Sequence, residues 1–188
     1  MANFNTAIPF ILAHEGGFTR TPAGEVVNRG VNTDTLVALG YKGTKEELGK
    51  IVESLSLADT EAIYKQNYWT FKKPSIPDAL GQVTCQAVAS KILDMTVLSG
   101  QATAVKLTQR ALGLAEDGHF GPATLAAGNK AGDALVPLLI KTWSDSLSHI
   151  ADLRIAESTA AKNNTLVAYW TRVKQGWLSR AAWNGGVA

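Results

Sequence analysis

Apolar residues recur at helical spacing along almost the whole chain, and residues that start and stop helices punctuate the series. Phe4, Ala7, Ile8, Ile11 and Leu12 share one helical face, with Asn3 or Asn5 as the cap and Gly16-Gly17 as the stop. Pro9 is tolerated there only if the helix starts close before it. Thr44 with Glu47 forms a capping box ahead of Leu48, Ile51, Val52 and Leu55, and Ser56 with Asp59 opens a third helix carrying Ile63, Tyr64 and Tyr68. Pro77 and Asp78 suit the first turn of a fourth helix, running through Val83, Ala87, Val88 and Leu93 to Met95 and ending by Gly100. Ala102 to Leu112 reads as a short amphipathic helix stopped by Gly113, Asp117-Gly118 as a turn, and Pro122 as the opening of a short helix over 123–127. Asp133 is placed to cap a long apolar stretch, and Thr165 begins a last helix ending near Trp183. Only residues 18–43 lack the period, and a small β-hairpin or a long loop fits them best. The fold class is therefore mainly α.

With 188 residues, 46% of them apolar, the chain is long enough for one sizeable core. A net charge of +2, with 18% charged residues, excludes a nucleic-acid binder that relies on a strong positive field. A mild attraction to an anionic wall or membrane surface stays open. The single Cys85 has no partner for an internal disulfide and reads as a buried core thiol. The N-terminus does not read as a secretory signal, and no stretch is apolar for long enough to span a bilayer. Synthesis in a cytoplasm, with outside help for passage outward, is the expectation.

Metal chemistry finds no support in the sequence: His14, His119 and His149 are far apart, and His14-Glu15 lacks the second histidine of a zinc-protease motif. Asp145 and His149 share a helix face, but no Gly-x-Ser-x-Gly elbow accompanies them, so a surface pair is expected. With no glycine-rich phosphate loop either, no cofactor is implied.

Glu15 is the residue best placed for chemistry. Glycoside cleavage needs a carboxylic acid that stays protonated near neutrality. In the last turn of the first helix the negative end of the macrodipole opposes ionisation, and the two glycines that follow let a polymer approach the backbone. The competing reading, on position alone, is a solvated carboxylate with Gly16 as an ordinary helix stop.

The run Ile11-Leu12-Ala13-His14-Glu15-Gly16-Gly17-Phe18 closely resembles the start of the glycosyl hydrolase 108 family of N-acetylmuramidases, in which a helix ends in Glu-Gly-Gly before an aromatic residue. The resemblance continues in order through Tyr64, Tyr68-Trp69, Ile76-Pro77, Asp94 and Ser99-Gly100. Residues 104–124 resemble the peptidoglycan-binding segment often fused behind such enzymes, and Gly176-Trp177-Leu178-Ser179-Arg180 resembles the family's closing motif. It implies a lysozyme-like helical globule with a catalytic region at 1–100 and a peptidoglycan-binding-like and C-terminal region at 101–188, packed together. It also implies that Glu15 is the acid that cuts peptidoglycan between N-acetylmuramic acid and N-acetylglucosamine. A phage-type endolysin would wait in the host cytoplasm and reach the wall in the periplasm through a holin-type pore.

The chain departs from the family after Glu-Gly-Gly. Where the family carries an Asp, a Gly-Gly pair and then Thr-Asn-x-Gly-Ile-Thr, this chain has Ala23-Gly24-Glu25-Val26-Val27 followed by Asn28-Arg29-Gly30-Val31-Asn32. Glu25 and Asp34 are the candidates for a second carboxylate, and Asn32 or Thr33 could instead hold the attacking water. A lone Glu15 acting first as acid and then as base would give lytic transglycosylase chemistry. Gly16, Gly17, Phe18, Tyr68 and Trp69 are the candidate substrate contacts, because sugars offer apolar faces for stacking and hydroxyls for polar groups. Tyr68 and Trp69 also suit ordinary core packing. A non-catalytic wall-binding or secretion-assisting protein is the alternative from another class. The basic, Trp-rich run 166–183 could press weakly on an anionic outer membrane, but packing its tryptophans inward is favoured.

Overall fold

The computed structural model describes residues 1–21, 24–71 and 76–186; Ala23 lies outside them. Helix α1 (Phe4–Glu15) is capped by the Asn3 side chain, which accepts from the Asn5 amide, and it buries Phe4, Ala7, Ile8 and Ile11. Pro9 sits well inside this helix rather than near its start, on the exposed face. The carbonyl four residues back, which proline leaves without a donor, belongs to exposed Asn5 and is open to water. Gly16 ends α1 with φ of 74°.

The segment expected as a hairpin or loop forms a three-stranded antiparallel sheet, β1 (Phe18–Arg20), β2 (Val26–Asn28) and β3 (Val31–Asn32). Arg29 and Gly30 link β2 to β3 with φ of 47° and 79°, as a two-residue primed turn requires. A short helix α2 (Thr33–Ala38), absent from the sequence expectation, follows at once. The Asn32 side-chain Oδ1 accepts from the Thr35 amide and hydroxyl, both at 2.9 Å, and this cap starts α2 against a β-rich local composition.

Helices α3 (Lys45–Ser54) and α4 (Leu57–Tyr64) begin at the two capping boxes read from the sequence. Sheet and α3 are locked by Asn28, which is buried and donates to the carbonyls of Val52 (3.0 Å) and Leu55 (3.1 Å). Helix α4 runs on into a π-helical turn, Lys65–Trp69, in which the Thr70 amide donates to the Lys65 carbonyl.

The fourth helix starts later than expected. Residues 76–82 form turns, Asp78 takes φ of 45°, and the Leu80 amide donates to the Trp69 carbonyl, so tertiary docking overrides the Pro-Asp start signal. Helix α5 (Gln86–Ser99) then runs with residues 87 to 96 all buried. It is the central helix, with α1, α6 (Gln101–Ala111) and α8 (Leu135–Ala160) packed around it. α7 (Pro122–Ala131) opens with Pro122 as read and extends past 127. Asp133 does not cap α8: it sits in a 3-10 turn, and its carboxylate accepts from the half-buried Cys85 thiol at 2.8 Å.

After a turn at 161–163, α9 (Asn164–Ala181) folds back along α8, with Lys174 bonded to Asp152 at 2.7 Å. Its tryptophans are mostly drawn inward, Trp177 packing against the core and Trp170 half-buried, while Tyr169 stays exposed. Just past the helix, Trp183 stacks on Phe10 of α1 at 3.4 Å between ring centroids. One apolar cluster includes Ile11 and Leu93 from the first half of the chain and Val105, Leu139 and Trp143 from the second. The protein is a mainly α, lysozyme-like helical globule with a small sheet.

Candidate active site

The stacking of Trp183 on Phe10 brings the end of α9 to the end of α1, where Glu15 sits. Oε1 of Glu15 accepts from Nη1 of Arg180 at 2.8 Å, and the Arg180 Nε donates to Oδ1 of Asp94 at 2.7 Å. The exposure of these side chains falls along the line from Glu15 (20%) through Arg180 (10%) to Asp94 (0%), so only the glutamate reaches solvent appreciably. On Asp94, burial pushes the carboxyl up, while Arg180 and Lys91 push it down. Two fields of opposite sign meet on Glu15: the helix end disfavours negative charge there and the guanidinium favours it.

The β2–β3 turn packs over the other side of Glu15. A β-carbon at position 30 would stand 2.8 Å from Oε2 of Glu15 and closer still to the Tyr64 hydroxyl, so any larger residue would have to displace one of these side chains. That hydroxyl donates to the Arg29 carbonyl at 3.0 Å and fixes the turn on α4. The rings of Tyr64 and Tyr68 lie 5.3 Å apart, and burial followed by the charge of Glu15 pushes both phenols up. Tyr68, within the field of Glu15, lines an opening of about 390 Å³ whose walls are Asn32, Asp34, Thr35, Ala38, Leu39, Asn67 and Gln101.

The candidate residues separate on this geometry. Gly16, Gly17 and Phe18 are exposed beside Glu15. Asp34, exposed in the first turn of α2, and Asn32 face the opening, although the Asn32 side-chain oxygen also caps α2. Thr33 is buried. Glu25 lies on the β1–β2 connection, with its carboxylate 3.9 Å from Lys45 at the start of α3. Trp69 is 1% exposed, packs edge-on against Phe4 and belongs to the core, so its ring is closed to sugar stacking.

The segment resembling a peptidoglycan-binding module forms α6 and a turn organised by Gln109. The Gln109 amide donates to the Asp117 carboxylate and the His119 carbonyl and accepts from the Gly118 amide, while Phe120 packs on Phe71. Sequence reasoning missed the Arg180 contact and the closeness of Gly30. An arginine among the tryptophans of a helix that packs inward needs an acid partner, and that was the available signal for Arg180.

Residues 8–100 match the family described as glycosyl hydrolase 108. A solved structure of SagA from Brucella abortus is similar over 95% of each chain, with 28% identity and a TM-score of 0.62. No curated protein sequence matches the chain. The matched segment, residues 8–100, belongs to the glycosyl hydrolase 108 family, and the protein is a glycoside hydrolase of the peptidoglycan-degrading kind.

Proposed function

We propose that the protein is an N-acetylmuramidase that hydrolyses the β-1,4 bond between N-acetylmuramic acid and N-acetylglucosamine, with Glu15 as general acid. One observation carries this reading: Glu15 is a partly exposed carboxyl with one oxygen tied to Arg180. Its other oxygen lies against the β2–β3 turn, and the neighbouring Tyr64 and Tyr68 rings lead to a largely apolar opening with polar groups at Asn32, Asp34 and Gln101. A sugar chain in that opening would meet the ring of Tyr68, the apolar Ala38 and Leu39, and the amides of Asn32 and Gln101. Asp34 is the better candidate for the second carboxylate, because it faces the opening whereas Glu25 lies beside Lys45. Such an enzyme, made in a cytoplasm, would reach the wall through a pore-forming partner as an endolysin does.

Digestion of purified peptidoglycan by wild type and Glu15→Gln, followed by mass spectrometry, tests the reading, with circular dichroism to check that the variant is folded. Reducing-end muramic acid from wild type alone is the expected result. Anhydro-sugar ends would move the chemistry to transglycosylation by Glu15 alone, and an absence of fragments from both proteins would leave a wall-binding role.

A further inference from the structure

A carboxylic acid has two oxygens, and a general acid works only if its proton sits on the one that faces the leaving group. In this protein the environment distinguishes the two. Oε1 of Glu15 accepts from Nη1 of Arg180 at 2.8 Å. A guanidinium carries donors only and does not deprotonate in proteins, so Oε1 must be an acceptor in both protonation states of Glu15. Oε2 lies against Gly30, and the nearby Tyr64 hydroxyl directs its hydrogen to the Arg29 carbonyl instead.

Arg180 is itself held from two directions. Its Nε donates to Asp94 at 2.7 Å, and Lys91 Nζ donates to the carbonyl of Ala181, the next residue, at 2.8 Å. Lys91 and Asp94 are both 0% exposed and lie 3.6 Å apart on α5, so the central helix fixes both the arginine side chain and its backbone. The arginine comes from α9, beyond the segment 8–100 that matches the family.

We propose that Arg180 is the positioning residue of the acid step: by occupying Oε1 it confines the transferable proton of Glu15 to Oε2. The inference rests on the reading of Glu15 as the acid. In the step, the C1–O bond breaks with its electron pair going to the leaving oxygen, which takes the Oε2 proton. Water adds hydroxide to C1 and releases its own proton to a base or to solvent, and Glu15 is reprotonated from solvent. The carboxylate left on Glu15 faces the guanidinium, so its charge is stabilised as it develops. The far end of the chain thereby becomes part of the catalytic machinery.

Steady-state kinetics on purified peptidoglycan, with wild type, Glu15→Gln, Arg180→Gln and Arg180→Lys, test the inference, each protein first checked for fold. Arg180→Gln is expected to lower kcat by about 100-fold, the scale on which a misplaced catalytic group loses rate, with KM little changed. Arg180→Lys keeps a cation but not the rigid fork, so its kcat should also fall with KM little changed. Full activity in Glu15→Gln would remove the acid assignment itself. An inactive Glu15→Gln beside an Arg180→Gln with wild-type kcat would overturn the positioning role alone. If Arg180→Gln does not fold, wild-type kcat in Arg180→Lys overturns it instead.

Discussion

Gly30 stands directly against Glu15: a β-carbon added at position 30 would lie 2.8 Å from Oε2 and 3.2 Å from Cβ of the glutamate. The turn residue and Glu15 are therefore sterically coupled although they come from separate elements. Gly30 also has φ of 79°, a conformation that L side chains rarely adopt. Gly30→Ala should lose at least about 1 kcal/mol of stability from the backbone alone. For a chain of this size each kcal/mol lowers Tm by roughly 2–4 °C. Activity should fall further than stability, because the methyl group displaces the Glu15 carboxyl or the Tyr64 hydroxyl. Thermal melts and wall-lysis rates on one preparation would check this, and wild-type lysis with a lowered Tm would show that the turn does not position the acid.

Tyr68 and Trp69 are neighbours with opposite surroundings, the first half-buried at the opening and the second 1% exposed in the core. Trp69→Ala should cost about 3–5 kcal/mol, as large aromatic truncations in a core do. Tyr68→Ala should keep more of the fold and raise KM for peptidoglycan, since it removes an aromatic face from the opening. Chemical denaturation and substrate saturation curves separate the two effects. Equal destabilisation with unchanged KM would show Tyr68 to be a packing residue only.

That contrast shows where the sequence stops being legible. Helical spacing and caps located α1, α3, α4, α6 and the final helix, because local hydrogen bonds and one apolar face decide those elements. Helix α2 was hidden because a single cap at Asn32 starts it, and the start of α5 was misplaced because the 76–82 turn is held by contact with Trp69, a tertiary bond that no local pattern encodes. Glu15 stands out in the sequence as a candidate through its Glu-Gly-Gly context. Arg180 was not legible as its partner, because 165 positions separate the two and only packing of α9 on the core closes that distance.

Lys91 is wholly buried between Asp94, Trp143 and Trp183, and burial pushes its ammonium down to about 8 despite Asp94. Between about 8 and the ordinary value of 10.5 the unfolded chain holds a proton that the folded chain has released. Stability rises with pH wherever the unfolded state binds more protons, so Lys91 contributes a rising limb in that window. The Tm of wild type minus that of Lys91→Met should therefore climb between those two pH values and level off above them. The subtraction matters because Tyr64 and Tyr68, both pushed up, contribute in the opposite direction once free tyrosine ionises. A flat difference across the window would mean that Lys91 keeps its proton.

Asp34 and Glu25 have different neighbours, and their roles should differ accordingly. Asp34 is exposed at the first turn of α2 and lines the opening with Asn32 and Tyr68. Glu25 faces Lys45, an exposed pair at 3.9 Å, and such surface pairs contribute little to stability. If hydrolysis uses a second carboxylate to activate water, Asp34→Asn should lower kcat by roughly 10²–10⁴-fold, the range for loss of a general base, with the fold intact. Glu25→Gln should retain near-wild-type turnover. Asn32→Ala is the control for the remaining candidate: it removes the α2 cap, about 1 kcal/mol, and any amide that orients the water. Its stability loss can be matched by Thr35→Ala, which weakens the same capping box from the other side. A large kcat loss in Asn32→Ala but not in Thr35→Ala, together with an active Asp34→Asn, would assign water positioning to the amide and leave Glu15 as the single carboxylate of the reaction.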